Sequence, residues 1–315
     1  MDKKALIVGL KGFFITKNEK IFLKKNKPWG VILFSRNVKN LNQLKQLVKN
    51  IKKTFNDDNY PILIDQEGGA VSRLNNIINL NHFSQEFFGK LYSSNKSNFD
   101  FYYKSYLNGL SNLLKDIGIN INTIPVLDIK KKYTHKIIGS RSYSSNPFIV
   151  SKLGKICVDI FNKNKIATVI KHIPGHGSAK VDSHIETPVV KNNKENLIKN
   201  DFMPFKNSKS FFAMTGHIIY NAYDKNNTAT HSKIVIKEVI RKNMNFRGII
   251  ISDDISMKSL KYDLELNAIK AINSGCNLIL HCNGNLKEMW ILAKKISQID
   301  NFTRRKTSEF YNFLG

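Results

Sequence analysis

The chain has no run approaching the roughly 20 consecutive apolar residues that a membrane-spanning helix needs. Its opening stretch, MDKKALIVGLKGFF, is interrupted by Lys11 after a short apolar patch. No small-residue cleavage site follows, so a secretory signal is not expected. Cysteine is scarce. Cys157, Cys276 and Cys282 are odd in number and share no C-x-x-C spacing, which argues against a disulfide framework and implies free thiols in a reducing compartment. These shortages together predict a cytoplasmic protein with no membrane partner. Acidic residues are also few: 24 Asp and Glu face 50 Lys and Arg, for a formal charge of +26. Nucleic acid is the usual partner of such a charge. Here, however, the lysines are spread along the whole chain, the densest clusters (Lys24–Lys27 and Lys130–Lys132) are short, and no zinc-finger, RNP-like or basic-zipper pattern occurs. Abundant Asn and Ile beside the Lys mark a compositional bias rather than a binding stripe. An anionic small substrate fits the charge equally well. No linker, low-complexity tract or solenoid-length repeat divides the chain, so residues 1–315 are expected to form one domain.

What is present is a regular alternation. Short, mostly β-branched runs begin at Ala5 (ALIVGL), Gly30 (GVILF), Pro61 (PILI), Asn122 (NTIPVLDI), Ala167 (ATVI), Phe211 (FFAMT), Gly248 (GIIIS) and Asn277 (NLILHC). Between many of them lie amphipathic stretches of helical period, such as those from Asn40, Phe148, Lys233 and Asn285. Strand-then-helix alternation implies parallel strands joined by crossover helices. Eight candidate strands in 315 residues favour a closed (β/α)8 barrel of the TIM type over an open sheet.

Polar residues gather where these strands end. Asp65 follows PILI, Lys171 and His172 follow ATVI, His217 follows FFAMT, and Asp253 follows GIIIS. In a barrel those ends share one face, the usual catalytic one. The stretch KHIPGHGSAKVDSHIETP, from Lys171 to Pro188, is too polar for a core. His172 and His176 are four apart, the spacing of a metal pair on a helix, but Pro174, Gly175 and Gly177 break any helix there, and no Glu follows His172 as a zinc protease requires. Asp182 and His184 are two apart, so in an extended segment both can face one way. An aspartate beside an imidazole fixes its tautomer and leaves the other nitrogen for proton transfer. A loop turn capped by Asp182 is the competing reading. Asp253, held at a strand end with Asp254 pointing elsewhere, suits the fixed carboxylate of a retaining glycoside hydrolase, but equally an aldolase, an isomerase or a metal site. Composition and periodicity stop at "barrel enzyme".

The motifs go further. WGVILFSRN at Trp29, LIDQEGGAVSRL at Leu63, IGSRSYSSNP at Ile138, the KH-x-PGHG…DSH-x-x-TP element, MTGHIIYNAYD at Met214 and FRGIIISDDISM at Phe246 run along nearly the whole chain. In these the sequence resembles the family-3 glycoside hydrolases, specifically the bacterial cytoplasmic β-N-acetylglucosaminidases of the NagZ type. The resemblance implies Asp253 as nucleophile, His184 as acid/base and Asp182 as its partner. It places sugar binding on Asp65, Arg73, Arg141, Lys171 and His172, with His176, Asp128 and His217 in supporting roles. It implies no metal and no cofactor. The implied partner is a saccharide, an N-acetylglucosaminyl-anhydro-muropeptide of peptidoglycan recycling, taken by a monomer that binds no nucleic acid. The chain departs from the family's pattern at Ala70 (often Arg), Ser140 (commonly an acid), Asn221 (Pro) and Asn277 (usually Asp), which leaves the leaving group open. A family member acting on glucosides or xylosides, phosphorolysis in place of hydrolysis, and a basic binding protein are the alternatives.

Overall fold

The computed structural model describes residues 2–131, 134, 138–179, 181 and 186–315. Eight strands close into a parallel barrel: β1 (Lys4–Gly9), β2 (Pro28–Leu33), β3 (Ile62–Ile64), β4 (Ile121–Asn122), β5 (Ala167–Ile173), β6 (Phe212–Thr215), β7 (Ile249–Asp254) and β8 (Leu278–His281). Each pairs with its sequence neighbour, and β8 returns to β1, where Leu6 faces Ile279. β2 and β5 are buried along their whole length, as expected of strands covered on both faces. All eight strand runs of the sequence lie in the barrel wall. The fourth is the exception in length. NTIPVLDI suggests a long strand, yet the ladder ends after Asn122. Pro125 has no N–H to give to it, and pairing resumes only at an isolated bridge between Val126 and Lys171.

The Asn bias of the composition goes into helix ends. Asn40, Asn95, Asn146, Asn193 and Asn285 each accept a hydrogen bond from a first-turn N–H as N-caps. Asn56, Asn207 and Asn245 take the left-handed conformation, which Asn tolerates better than most residues. The helical period read from Lys233 is realised as a π-helix over Val235–Asn243, a wider winding than the sequence period suggests.

The two ends of the barrel differ in chemistry. At the end where strands begin, the helix Asn301–Leu314 sets Phe310 against Trp29 and Phe212, with ring centroids 6.3 and 5.4 Å apart. The Trp29 indole N–H donates to Thr307 Oγ1 at 2.9 Å. This floor is built from packed aromatic rings. The charged residues that follow the strands lie at the opposite end.

Candidate active site

The strand ends of that open face line a cavity of about 470 Å³. Its walls follow chain order around the barrel. Phe34 comes after β2, Asp65 and Arg73 after β3, Thr123 after β4, Lys171 and His172 from β5, Asp253 and Asp254 from β7, and Cys282 after β8, with Arg141 reaching in from a loop. Asp65, Arg73, Arg141, Lys171, His172 and Asp253 therefore converge, although 188 positions separate the first and last (253 − 65). Asp182 and His184 lie outside the described residues.

The polar wall is one connected ion network. Arg73 Nη2 donates to Asp65 Oδ2 at 2.6 Å. Lys171 Nζ sits between Asp65 and Glu67, 2.6 Å from Glu67 Oε1. Arg141 grips Glu67 with two parallel bonds, Nε to Oε2 at 2.8 Å and Nη2 to Oε1 at 2.7 Å. Burial alone raises both carboxyls, but the cations outweigh it. Lys171 and Arg73 hold Asp65 far below the usual carboxylate range, and Arg141 and Lys171 hold Glu67 below its own. For Arg141, burial works against the charge, and Glu67 more than restores it.

His172 is oriented from behind. Its Nδ1 lies 2.6 Å from Asp128 Oδ2, a carboxylate with no exposure whose Oδ1 also accepts the His176 backbone N–H at 2.6 Å. The carboxylate accepts, so Nδ1 carries the proton and Nε2 takes the 3.4 Å contact from the Arg141 guanidinium. Burial raises Asp128, and the neighbouring His172 brings it back below the ordinary value. His176 packs edge-on to His172, with centroids 5.8 Å apart, and burial pushes its pKa down to about 4. The PGHG bend needs its glycines. Gly175 has φ +137°, and a Cβ there would come within 2.5 Å of the Asp201 carbonyl.

At the end of β7, Asp253 Oδ1 accepts the Asp254 backbone N–H at 2.8 Å. Asp254 also reaches the cavity wall, yet its carboxylate turns to Ser256 Oγ, at 3.0 Å, and to the Cys282 N–H, at 3.2 Å. His217 lies buried behind this pair. Among the described residues no group of three His, Cys, Asp or Glu side chains is placed to hold a metal ion.

Among the residues of this site not singled out from the sequence, Glu67 binds the most cations. The signal was its place in DQEGG, one residue beyond Gln66 and two from Asp65. A carboxylate on the same short loop as another reads as solvent-exposed, and only the fold shows that Glu67 is 4% exposed beneath two cations. The departures are also placed. Ala70 and Ser140 line the cavity. The Asn221 N–H donates to the Val190 carbonyl at 3.0 Å, a bond that proline could not make, and it extends the small sheet of Val189–Val190 and Ile219–Tyr220. Asn277 Oδ1 accepts from Arg241 and from the Ile250 N–H, both at 2.9 Å.

The model of the glycosyl hydrolase family 3 N-terminal domain matches residues 4–307. A Haemophilus influenzae β-hexosaminidase is 32% identical over 287 residues, covering 89% of this chain and 79% of that protein. The crystal structure of NagZ from Neisseria gonorrhoeae in complex with N-trifluoroacetyl-D-glucosamine superposes with a TM-score of 0.87 at 26% identity, covering all of this chain and 90% of that one. A family 3 β-N-acetylglucosaminidase from Paenibacillus gives a TM-score of 0.85 at 25% identity, and this chain spans 60% of its length.

Proposed function

Because the chain belongs to glycosyl hydrolase family 3, among its β-hexosaminidases, we propose that it releases terminal, non-reducing N-acetyl-β-D-glucosamine with retention of configuration. Asp253 is the nucleophile in this reading. Its carboxylate attacks the anomeric carbon as the bond to the leaving oxygen breaks, and protonated His184, partnered by Asp182, gives that oxygen its proton. Neutral His184 then takes a proton from water, the water oxygen attacks the same carbon, and Asp253 leaves as carboxylate. Hexose hydroxyls donate to Asp65 and accept from Lys171, Arg73 and Arg141. The His172 Nε2, aimed by Asp128, is a further contact.

The observation that carries the reading is that Asp253 lines the same cavity as Asp65, Lys171 and Arg141, which Glu67 ties together from beneath. The ions are already paired before sugar enters, so a polyhydroxylated ring meets fixed donors and acceptors. The leaving group in this reading is anhydro-N-acetylmuramic acid bearing peptide, in cytoplasmic peptidoglycan recycling. An anionic leaving group suits a chain of charge +26. Its free thiols, Cys157, Cys276 and Cys282, agree with a reducing compartment.

The test is chromophore release from an aryl N-acetyl-β-D-glucosaminide by the native chain, Asp253→Ala and His184→Ala, with the product anomer followed by NMR. The expected result is a β-anomer product and an inactive Asp253→Ala. His184→Ala should lose most on substrates with poor leaving groups. An active Asp253→Ala, or a native enzyme that cleaves only the glucoside, overturns the reading. Release of a sugar phosphate in phosphate buffer would replace hydrolysis by phosphorolysis.

A further inference from the structure

His217 sits one residue past Gly216 at the end of β6 and is fully buried. Its two nitrogens are both engaged. Nε2 lies 3.0 Å from the Asp254 carbonyl and Nδ1 lies 2.7 Å from Thr230 Oγ1. A carbonyl can only accept, so Nε2 carries the proton and Nδ1 accepts the Thr230 hydroxyl. Thr230 Oγ1 is in turn 2.8 Å from Thr215 Oγ1, which serves as its donor. The chain Thr215–Thr230–His217 thus ends on the backbone of Asp254.

Asp254 is held on its other sides as well. Its carboxylate Oδ1 accepts from Ser256 and from the Cys282 N–H, and its carbonyl also accepts the Met257 N–H at 3.1 Å. With carboxylate and carbonyl fixed, the Asp254 N–H is left aimed at Asp253 Oδ1, 2.8 Å away. A hydrogen bond to the ionised form stabilises that form and fixes the oxygen's direction.

We infer that His217 is a positioning residue for the Asp253 carboxylate, acting through the Asp254 backbone as a neutral Nε2–H donor. The inference rests on the reading of Asp253 as nucleophile. The role requires neutrality, because a cation here would compete for Asp253. Burial lowers the His217 pKa, and the charged and titratable groups around it are Asp253 and Asp254 on β7, His172 on β5 and His231 beyond Thr230.

The test compares His217→Ala, His217→Gln and Thr230→Val with native enzyme, all checked for native melting, using the pH dependence of kcat/KM on an aryl N-acetyl-β-D-glucosaminide. The acid limb of that profile reports the free enzyme's nucleophile. In His217→Ala we expect the limb to move up by about one pH unit and kcat to fall by about 100-fold with KM little changed. His217→Gln, which keeps an N–H donor, should recover most of both, and Thr230→Val should give a partial shift. A folded His217→Ala with a native acid limb overturns the inference, as does an equal loss in both His217 variants confined to KM. Should His217→Ala fail to fold, the 15N shifts of the native imidazole decide: an Nε2–H tautomer is expected and an Nδ1–H tautomer refutes it. Failure of the nucleophile assignment is seen separately, as activity surviving in Asp253→Ala.

Discussion

Asp128 Oδ2 lies 2.6 Å from His172 Nδ1, and this one contact decides which nitrogen of the imidazole faces the cavity. Asp128→Asn keeps the shape but replaces an obligate acceptor with a group that can also donate, so the tautomer is no longer fixed. Loss of such an outer partner typically costs about 10–100-fold. We expect kcat/KM for an aryl N-acetyl-β-D-glucosaminide to drop by that factor while the folded content by circular dichroism stays native.

Glu67→Gln should act on binding before chemistry. It removes the charge that holds the Arg141 fork and one side of Lys171. Breaking one member of a buried pair costs about 3–5 kcal/mol, because the remaining cation is left uncompensated. A lower melting temperature and a raised KM are expected, with kcat reduced less than KM rises. Steady-state kinetics beside a thermal melt reads both.

Acid stability should fall in two stages. His176 and His231 have folded pKa values of about 4, below the ordinary 6.5. The unfolded chain therefore binds protons that the folded chain refuses. Their penalty is absent above the unfolded pKa, grows as pH falls from there toward the folded values, and reaches on the order of 3 kcal/mol each. Asp65, Glu67 and Asp128 are depressed carboxylates. Their contribution is full above the unfolded carboxylate pKa, about 4, and is lost below it. Urea midpoints measured across this range should decline gently at first and steeply below about pH 4. In Glu67→Gln the steep stage alone should be blunted.

Asn277→Asp tests a departure from the family pattern. Arg241 donates to Asn277 Oδ1 and to the carbonyls of Phe246 and Gly248, and burial draws its pKa down to about 10. A carboxylate at 277 would keep the acceptor and add the missing charge. A gain of about 1 kcal/mol, or roughly 2–4 °C in melting temperature, is expected with kcat unchanged. A lower melting temperature would mean that the neutral amide is the better fit.

Phe310→Ala should separate stability from catalysis. Phe310 has no exposure and packs on Trp29 and Phe212 at the floor, at the far end of the barrel from the cavity. A loss of about 3–5 kcal/mol is expected, with KM and kcat of the surviving folded enzyme near native.

Much of this was legible in the sequence because barrel strands announce themselves. Two-sided burial requires continuous apolar runs, and all eight were visible, as were the polar residues at their ends. Pro125 was visible too, but its effect on the fourth strand depends on the neighbouring β5, where the Lys171 N–H meets the Pro125 carbonyl and the Lys171 carbonyl accepts the Leu127 N–H. Glu67 was hidden because its burial comes from Arg141 and Lys171, remote in sequence. His217 was legible as a strand-end residue, while its contact with the Asp254 carbonyl depends on the spacing of β6 and β7. The helical period at Lys233 gave the element but not its π winding, since the two share nearly the same buried face over so few turns. The Asp182–His184 pair lies outside the described residues and rests on the sequence pattern alone.

The closure of the ring has a consequence for how the molecule is made. Of the eight barrel strands β1 is made first, yet one of its two edges pairs with β8, the last of them to be made. Until Leu278–His281 has emerged, Lys4–Gly9 waits with an open edge of N–H and C=O groups, and no shorter nascent chain can complete the wall. Pairing over such a span is slow to form, and it leaves an exposed strand during the wait. Synthesis rate and holding factors should therefore govern the yield of folded protein more than final stability does.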